Sequence, residues 1–446
     1  MVEVTLRLDQ IAALGRRPRG TAPVDTHRHI PGSVLRGALA ASWIAQYGPP
    51  QQADPAARDH FLRLFEGPVR YGPLLDAHSD VVPLSVLRCK YRPKEEKCEQ
   101  FFHDQATDPT PLARQPECTA CRGRTQNGRG EVEFFGVDDH IAQETHVRLD
   151  DRERAEEGLL FTRRALKPRR GGISRAFTGR IITPPGEPVD PWLLQTRPLR
   201  VGGRRSTAGG ALYEAEDLPA PAPDPAFLVT KGCLIVRLVS PAFLVDAAGR
   251  PTSRPDTGLL SELLGVDVTL DRAWVRRESI GGWNALTNLP KPAELAVTAG
   301  SVFRLALGST PTTEGLRRLL DHGLGLRRAE GFGWIALGPW RMPRPAVVRQ
   351  APEKEDMAVG VARQLHDHLP EDCTWYLDKL HTCLTLRRRG QQPDLAFLQS
   401  KRAEKLAGLR QGVLELGLRK LATGDLRMLE KAVAELQARV RKERSW

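Results

Sequence analysis

A glycine-rich segment late in the sequence constrains the fold more than any other feature. Residues 323–337 contain four glycines and the adjacent pair Arg327 and Arg328, between patterns typical of a helix over 313–320 and of a strand over 334–337. Glycine permits positive φ angles and close backbone approach to a ligand, and arginine presents a planar fork of donors that fits phosphate. We predict a phosphate-binding loop, with a tight surface turn as the alternative.

A second basic loop of the same kind lies earlier in the chain. Residues 200–210 read Arg-Val-Gly-Gly-Arg-Arg-Ser-Thr-Ala-Gly-Gly. Two such loops suggest two related half-structures that face one polyanion. The RNA-contacting positions predicted in the two loops are Arg200, Gly202, Gly203, Arg204, Arg205, Gly325, Arg327, Arg328, Gly331 and Gly333.

The positive charge of the chain is concentrated in one segment. The net charge is +12, and residues 161–210 hold eleven arginines and lysines against only Glu187 and Asp190. A charge run is often just a solvated face, but such one-sidedness favours a nucleic acid or another anionic partner. Lys167, Arg169 and Arg170 of this segment are further predicted RNA contacts.

Two features of exported and membrane proteins are missing from the sequence. The first 17 residues have no apolar core like that of a signal peptide, and no run approaches the roughly 18 apolar residues that span a bilayer. We therefore expect a cytoplasmic protein. Seven cysteines in such a chain favour a metal site or buried thiols over a disulfide framework.

A proline-rich segment divides the chain into domains. The run Pro-Ala-Pro-Ala-Pro-Asp-Pro at 219–225 predicts a connector. We predict an N-terminal domain over 1–218, a second domain over 226–345 that ends in the glycine-rich loop, and a helical module over 351–446. Strand patterns around the helix at 313–320 are consistent with a ferredoxin-like half, the split βαβ arrangement, so the fold class is α+β.

The first predicted helix has features of a phosphate site. Pro31, Gly32 and Ser33 are typical of a turn and helix cap, and an alanine-rich helix follows to about Gln46. Ser33 and Arg36 would then lie at a helix N-terminus, where backbone N–H groups favour an anion. An ordinary capped helix that packs its leucines is the open alternative.

Several motifs together resemble a known superfamily. Ile-Pro-Gly-Ser-Val-Leu-Arg-Gly at 30–37, Asp-Asp-Arg at 150–152, Glu-Gly-Leu-Leu-Phe at 157–161, Arg-Val-Gly-Gly at 200–203 and the loop at 325–333 resemble the RAMP superfamily of CRISPR-associated proteins. Gly-Gly-Trp-Asn at 281–284, Leu-Pro-Lys at 289–291 and Ala-Gly-Ser-Val-Phe at 299–303 narrow the resemblance to the large RAMP subunit of type III-D effector complexes.

The resemblance, which covers residues 1–345, implies both a fold and a role. It implies two ferredoxin-like (RRM-like) halves side by side with the glycine-rich loop between them. It also implies a usually non-catalytic subunit that caps the 5′ end of guide RNA and holds its repeat-derived handle. Expected partners are guide RNA, target RNA through the guide, and the other subunits, with the helical module meeting a neighbour. The alternative is that the charge serves an acidic protein.

Four cysteines predict a structural zinc site. Cys89, Cys98, Cys118 and Cys121 fall in a polar, proline-rich insertion over about 84–130, and four thiolates can close a tetrahedral site. His103 is a possible substitute ligand, and independent thiols are the alternative. Four cysteines leave no open position on the metal, so a catalytic zinc is disfavoured.

No nucleophile constellation is visible in the sequence. His27 and His29 form a tight histidine pair, and together with Asp25 they could supply a general acid and base for cleaving RNA. We therefore expect no catalytic residues. The alternative is an endoribonuclease that acts through these three residues.

Overall fold

The protein contains both α-helices and β-strands and divides into two compact units, Met1–Ala346 and Val347–Trp446. The computed structural model describes residues 1–16, 25–90, 103–107, 117–118, 122–135, 140–149, 155–170, 173–203, 207–284, 289–342, 361–362, 365–366, 372–399, 418, 422–423 and 426–443. Within the first unit, the part before the 219–225 connector is called the first half, and the part after it is called the second half.

The first half is mostly β-structure. Its helices are α1 (Gly32–Tyr47), α2 (Pro55–Phe61) and a π-helical turn (Leu62–Glu66). Its strands are β1 (Val2–Leu8), β2 (Gly15–Arg16), β3 (Asp25–Thr26), β4 (Arg70–Tyr71), β5 (Leu75–Asp76), β6 (Ser79–Val81), β7 (Val86–Cys89), β8 (His103–Asp104), β9 (Thr125–Asn127), β10 (Val132–Phe134), β11 (Ile141–Leu149), β12 (Ala155–Leu166), β13 (Arg169–Arg170), β14 (Ile173–Ser174), β15 (Ala176–Ile182), β16 (Arg197–Arg200) and β17 (Gly210–Asp217).

One antiparallel sheet organises the first half. Its strands lie in the order β16-β17-β1-β15-β4, and β5 also pairs with β15. If the edge strand β16 is set aside, the other four strands lie side by side in the order β17, β1, β15, β4. Counted along the chain, these are the fourth, first, third and second strands, which is the order of the split βαβ arrangement. Val2, Val4, Leu6 and Leu8 of β1 are at most 1% exposed, so the period-two pattern in the sequence does mark a half-buried strand. They pack against α1 through residues such as Trp43.

The second half repeats this topology. Its elements are α3 (Pro225–Leu228), β18 (Val229–Thr230), β19 (Cys233–Leu238), α4 (Thr257–Leu264), β20 (Val268–Trp274), β21 (Arg277–Asn284), β22 (Leu289–Val297), β23 (Val302–Leu307), α5 (Thr313–His322), a 3-10 turn (Arg328–Glu330) and β24 (Ile335–Leu337). The sheet runs β24-β19-β23-β20, again fourth, first, third, second, with both crossover helices present. Strands β21 and β22 form a separate hairpin.

The insertion of the first half covers the open face of the second sheet. Ala106 packs with Ile235 and Val302, and Trp274 lies against them. Trp274 Nε1 donates to Gln105 Oε1 at 2.9 Å. This face is therefore occupied by protein, and it is not a bare platform on which RNA bases could stack in the manner of an RRM sheet.

The second unit is helical over its described residues. It contains α6 (Cys373–Arg388), a 3-10 turn (Ala396–Gln399) and α7 (Leu426–Glu443). Buried side chains of both helices form one core, which includes Tyr376, Leu380 and Leu436. Cys373 and Cys383 are buried in this unit.

Candidate nucleic-acid interface

The glycine-rich loop is packed tightly by the protein itself. Its four glycines have φ angles from 67° to 94°, at positions 323, 325, 331 and 333. A Cβ on Gly331 would lie 2.7 Å from the backbone carbon of Gly32 and 2.7 Å from the amide nitrogen of Ser33. A Cβ on Gly333 would lie 1.9 Å from the carbonyl oxygen of Leu324. Contacts within the loop and with the start of α1 therefore account for these glycines without a ligand.

Arg327, a predicted phosphate contact, binds carboxylates of the protein. Its Nε and Nη2 each donate to Glu330 at 2.9 Å, and its Nη1 donates to Glu294 of β22 at 2.8 Å. Its guanidinium carbon lies 4.7 Å from the ring centroid of Phe243. All three guanidinium nitrogens are thus engaged, so a phosphate contact by Arg327 would compete with this network.

The same network perturbs Glu330. Lys291 Nζ donates to Glu330 Oε2 at 2.7 Å. Burial raises the pKa of Glu330, but the hydrogen bonds from Arg327 and Lys291 outweigh that effect and lower the pKa to about 2. Lys291 and Glu294 both belong to β22, so the network ties the β21–β22 hairpin to the glycine-rich loop.

Arg328 belongs to the 3-10 turn, and its side chain contacts the C-terminal end of α5. Its Nη1 donates to the carbonyl oxygen of His322 at 3.0 Å. Arg70 of β4 donates to the carbonyl oxygen of Asp321 in the same helix turn. Cations stabilise this end of a helix because its carbonyl groups carry partial negative charge. Burial and then the charge of Arg328 lower the pKa of Arg70 to about 10. Arg70 is a buried contact between the halves that the sequence pattern did not reveal.

The start of α1 differs from the predicted cap. The helix is preceded by Pro31, which makes no side-chain capping hydrogen bond, and Ser33 lies within the first turn. The helix begins at Gly32, one residue before Ser33, so Ser33 is not the N-cap. Ser33 is exposed. Arg36 donates from Nε to the carbonyl oxygen of Phe65 at 2.8 Å and from Nη2 to Glu66 at 2.8 Å, which stabilises the end of the π-helical turn.

The 200–210 loop packs along the segment that follows β1. Gly203 N donates to Ala13 O at 3.0 Å, and a Cβ on Gly202, whose φ is 81°, would lie 2.4 Å from that oxygen. Arg200 is exposed and donates from Nη1 to Gln10 Oε1 at 2.5 Å. Arg204 and Arg205 lie outside the described residues.

The long ribbon β11–β12 joins the same segment from its other side. Ala12 and Leu166 exchange backbone hydrogen bonds of 3.0 and 2.9 Å. The end of β12 and the loop that follows Arg200 therefore both lie beside the segment after β1. Arg169 is exposed and Lys167 is half-buried. Arg170 belongs to β13, and its side chain lies outside the described part of the chain.

Arg164 of β12 belongs to the same surface. Its side chain is 51% exposed, and its Nη1 lies 3.7 Å from Asp25 Oδ1. We call Arg164, Lys167, Arg169 and Arg200 the first-half basic surface. Sequence reasoning missed Arg164 as a site residue, although the charge of segment 161–210 pointed to its neighbourhood.

Two of the three candidate catalytic residues lie in ring contact, and the third, Asp25, contacts Arg164. The rings of His27 and His29 have centroids 5.4 Å apart in an edge-to-face arrangement. Asp25 Oδ1 accepts a hydrogen bond from Thr26 N at 2.9 Å, and the Asp25 side chain is 47% exposed. The loop therefore places a carboxylate and two imidazoles beside the first-half basic surface.

Two of the four predicted zinc ligands are described. Cys89 and Cys118 are 3% and 1% exposed. Cys89 pairs with Thr125 across β7 and β9, while Glu117 forms a bridge with Arg124. Both cysteines thus flank the strand at 124–125. Cys98 and Cys121 lie outside the described residues, and His103 pairs with Leu87 in β8. Among the residues that the structure describes, no group of three or more His, Cys, Asp or Glu could hold a metal.

The described helices include none that is long and apolar enough to cross a membrane. No curated protein matches the chain. Among solved structures, a chain of the type III-B Cmr-beta complex bound to cognate target RNA is 12% identical, with 68% of this chain and 86% of that chain covered and a TM-score of 0.36.

Two further solved structures are similar at the same level. A chain of the Csm3-Csm4 subcomplex of the type III-A CRISPR-Cas interference complex is 12% identical, with 76% of this chain and 100% of that chain covered and a TM-score of 0.32. CRISPR-associated protein Cas6 is also 12% identical, with 75% and 97% covered and a TM-score of 0.32. These TM-scores are too low for the likenesses to indicate a function.

The family match is more specific. Residues 124–340 match the family described as CRISPR-associated protein (Cas_Cmr3). The matched range includes Arg164, Arg200 and the whole glycine-rich loop. The matched range is just under half of the chain, and it agrees with the resemblance of the sequence motifs to the RAMP superfamily of CRISPR-associated proteins.

Proposed function

We propose that this protein is a structural RNA-binding subunit of a type III CRISPR effector complex, similar to those of type III-D. In this role it holds the 5′ repeat-derived handle of the guide RNA. The observation that carries the proposal is the family match over residues 124–340, which spans the basic surface and the glycine-rich loop. The helical module at 351–446 contacts a neighbouring subunit in this proposal.

The first-half basic surface is the better candidate for the main phosphate contact. Its cations are exposed or half-exposed, and Arg200 and Arg164 each contact one polar side chain, Gln10 and Asp25. Arg327, by contrast, donates from all three guanidinium nitrogens to two carboxylates. A phosphate can replace one exposed contact at smaller cost than it can break such a network. The glycine-rich loop then serves mainly to join the halves and to place the hairpin.

A quadruple variant tests the surface. Arg164→Gln, Lys167→Gln, Arg169→Gln and Arg200→Gln together should weaken binding of a guide RNA about 10- to 100-fold at 0.1 M salt and reduce the slope of log K against log salt by about 2–3, because up to four phosphate contacts are lost. Fluorescence anisotropy of labelled guide RNA at several salt concentrations measures both quantities.

The control for this experiment is Arg58→Gln, which removes an exposed arginine of α2 away from the surface. It should leave the affinity and the salt slope at wild-type values. RNA without the constant 5′ segment should bind more weakly than the complete guide. Unchanged binding by the quadruple variant would exclude the surface, and equal binding of both RNAs would exclude recognition of the handle.

The proposal includes a structural zinc ion that crosslinks the insertion. Cys89 and Cys118 are both buried and flank one strand. Arg122 has a φ of 52°, and its backbone N–H donates to the carbonyl oxygen of Cys118 at 2.7 Å. The four cysteines would hold the metal as thiolates.

Metal analysis of the purified protein tests whether this zinc ion is present. We expect about one zinc per chain for the wild type, as four cysteines close one tetrahedral site. Cys118→Ser with Cys121→Ser should lose the metal, because two ligands cannot retain it. Cys233→Ser, which changes a thiol of the second half, should keep it. Full zinc content in the double variant would show that these cysteines are not ligands.

An endoribonuclease is the second candidate, because the rings of His27 and His29 are in contact and Asp25, two residues before His27, lies beside Arg164 of the basic surface. The binding experiment above also distinguishes this activity when the RNA is recovered and sized with and without Mg²⁺. Cleavage that disappears in Asp25→Ala or His29→Ala would establish a nuclease, and intact RNA throughout would leave binding as the function.

A further inference from the structure

A row of arginines lies along the edge strand of the second sheet. Strand β20 is at the edge of that sheet, and Arg272 and Trp274 occupy alternate positions at its end. The guanidinium carbon of Arg272 lies 5.8 Å from the ring centroid of Trp274, as expected for alternate residues of a strand, which share one side and are about 6–7 Å apart. Arg276 follows two residues after the end of the strand, and Arg277 begins β21. The chain therefore presents three arginines within six residues at this edge.

The row continues onto the insertion. Trp274 Nε1 donates to Gln105, and Arg276 Nη1 donates to the carbonyl oxygen of Arg129 at 2.9 Å. Both side chains thus point toward the insertion, and the exposed Arg129 lies at the boundary. Arg277, also exposed, donates to Ser253 Oγ. The strip consists of Arg129, Arg272, Arg276 and Arg277, which come from two separated segments of the chain.

The strip differs in its partners from four other arginines of the second half. Arg250, Arg304, Arg317 and Arg327 each form a salt bridge with a carboxylate. Within the described part of the chain, the guanidinium groups of Arg129, Arg272, Arg276 and Arg277 form none; where they bond, it is to a carbonyl, a hydroxyl or an aromatic face. Several uncompensated cations side by side repel one another, and a polyanion relieves that repulsion.

We propose that this strip is a second RNA-binding surface, which contacts the phosphodiester backbone of a single-stranded segment. Planar guanidinium forks match phosphate oxygens, and a positively charged track that follows the backbone is typical of proteins that bind single strands. The strip shares no residue with the first-half basic surface, and none of its residues belongs to segments 9–16 or 161–210. The inference rests on the proposed function only in taking RNA as the polyanion.

A triple variant with a matched control tests the strip. Arg272→Gln, Arg276→Gln and Arg277→Gln together should weaken RNA binding at least about 10-fold at 0.1 M salt and lower the salt slope by about 2, as three contacts to a single strand predict. The control is Arg250→Gln with Arg317→Gln, which removes two exposed arginines of the same half that are already paired with acids. The control should bind RNA as the wild type does.

The outcomes separate this inference from the proposed function. If the wild type and the strip variant bind RNA with equal affinity and salt slope while the first-half quadruple variant is impaired, the strip is overturned and the proposed function stands. If the wild type binds no RNA, both fail. If the strip variant alone loses affinity for an acidic protein partner, the strip is a protein contact and the proposal is wrong.

Chemical footprinting of the unmodified chain gives a second measurement that does not depend on the folding of a variant. Phenylglyoxal modifies exposed arginines, and peptide mass spectrometry reports each site. RNA should reduce modification of Arg276 and Arg277 several-fold, while Arg58 stays equally reactive with and without RNA. Equal modification of Arg276 and Arg277 in both samples would overturn the proposal.

Discussion

Replacement of Arg175 by methionine is expected to lower the free energy of unfolding by about 3–5 kcal/mol, because it leaves a buried carboxylate without its cation. The side chains of Arg175 and Asp76 are 2% and 6% exposed, and Arg175 Nε lies 3.0 Å from Asp76 Oδ2. The guanidinium also lies between Phe134 and Phe177, at 5.0 and 4.8 Å from their ring centroids. Methionine can fill much of this space but cannot neutralise Asp76.

The same arginine holds the basic segment in place. Its Nη1 donates to the carbonyl oxygens of His140 and Lys167 at 3.2 and 3.3 Å. Arg175→Met should therefore also disturb the backbone that carries Lys167, and RNA affinity should fall together with stability. Urea denaturation followed by circular dichroism measures the first effect, and anisotropy measures the second.

Two controls make this prediction specific. Arg7→Met breaks an exposed pair with Glu214, whose side chains are 48% and 39% exposed, and should cost at most about 1 kcal/mol. Adding Asp76→Asn to Arg175→Met removes the uncompensated charge and should recover part of the loss. A loss in Arg175→Met no greater than in Arg7→Met would show that the buried pair contributes little.

Gly331→Ala is expected to destabilise the first unit by about 2–4 kcal/mol, combining the strain of a positive φ with overpacking. The φ angle is 94°, and the new Cβ would lie within 3 Å of the backbone of both Gly32 and Ser33. Backbone atoms at the start of a helix cannot move aside as the end of a flexible side chain can. The substitution should therefore separate the glycine-rich loop from α1.

Gly186→Ala is the matched control, because its φ is 82° and a Cβ added there would have no neighbouring atom within 4 Å. It reports the cost of positive φ alone, about 1–2 kcal/mol, and thermal unfolding of both variants gives the difference. We expect Gly331→Ala to unfold several degrees below Gly186→Ala. Equal unfolding temperatures would mean that the loop and the helix do not depend on this close contact.

Local patterns in the sequence predicted several elements of the fold. The alternation of Val2, Val4, Leu6 and Leu8 marks β1, since strand side chains point to alternate faces. The helix expected over 313–320 ends at His322, and the strand expected at 334 begins at Ile335. These features depend on near neighbours in the chain, which is why a sequence pattern can reveal them.

The partners of the arginines could not be predicted in the same way. Arg327 meets Glu294 of β22, Arg36 meets Phe65, and Arg70 meets the end of α5 far along the chain. Whether a guanidinium faces solvent or a carboxylate depends on residues that only the tertiary structure brings close. The opposite case is Arg272, Arg276 and Arg277, whose lack of carboxylate partners among the described residues becomes visible only in the folded chain.

The sequence by itself determined that this chain has a basic segment at 161–210, glycine-dependent loops, four insertion cysteines and the motifs of the RAMP superfamily. Composition, spacing and motif order are properties of the chain before it folds. The tertiary structure decided that the glycines of 323–333 serve close packing, that the insertion covers the second sheet, and which cations remain exposed. Those outcomes depend on burial and on long-range pairing, because desolvation and opposite charge determine whether an arginine remains available to a phosphate.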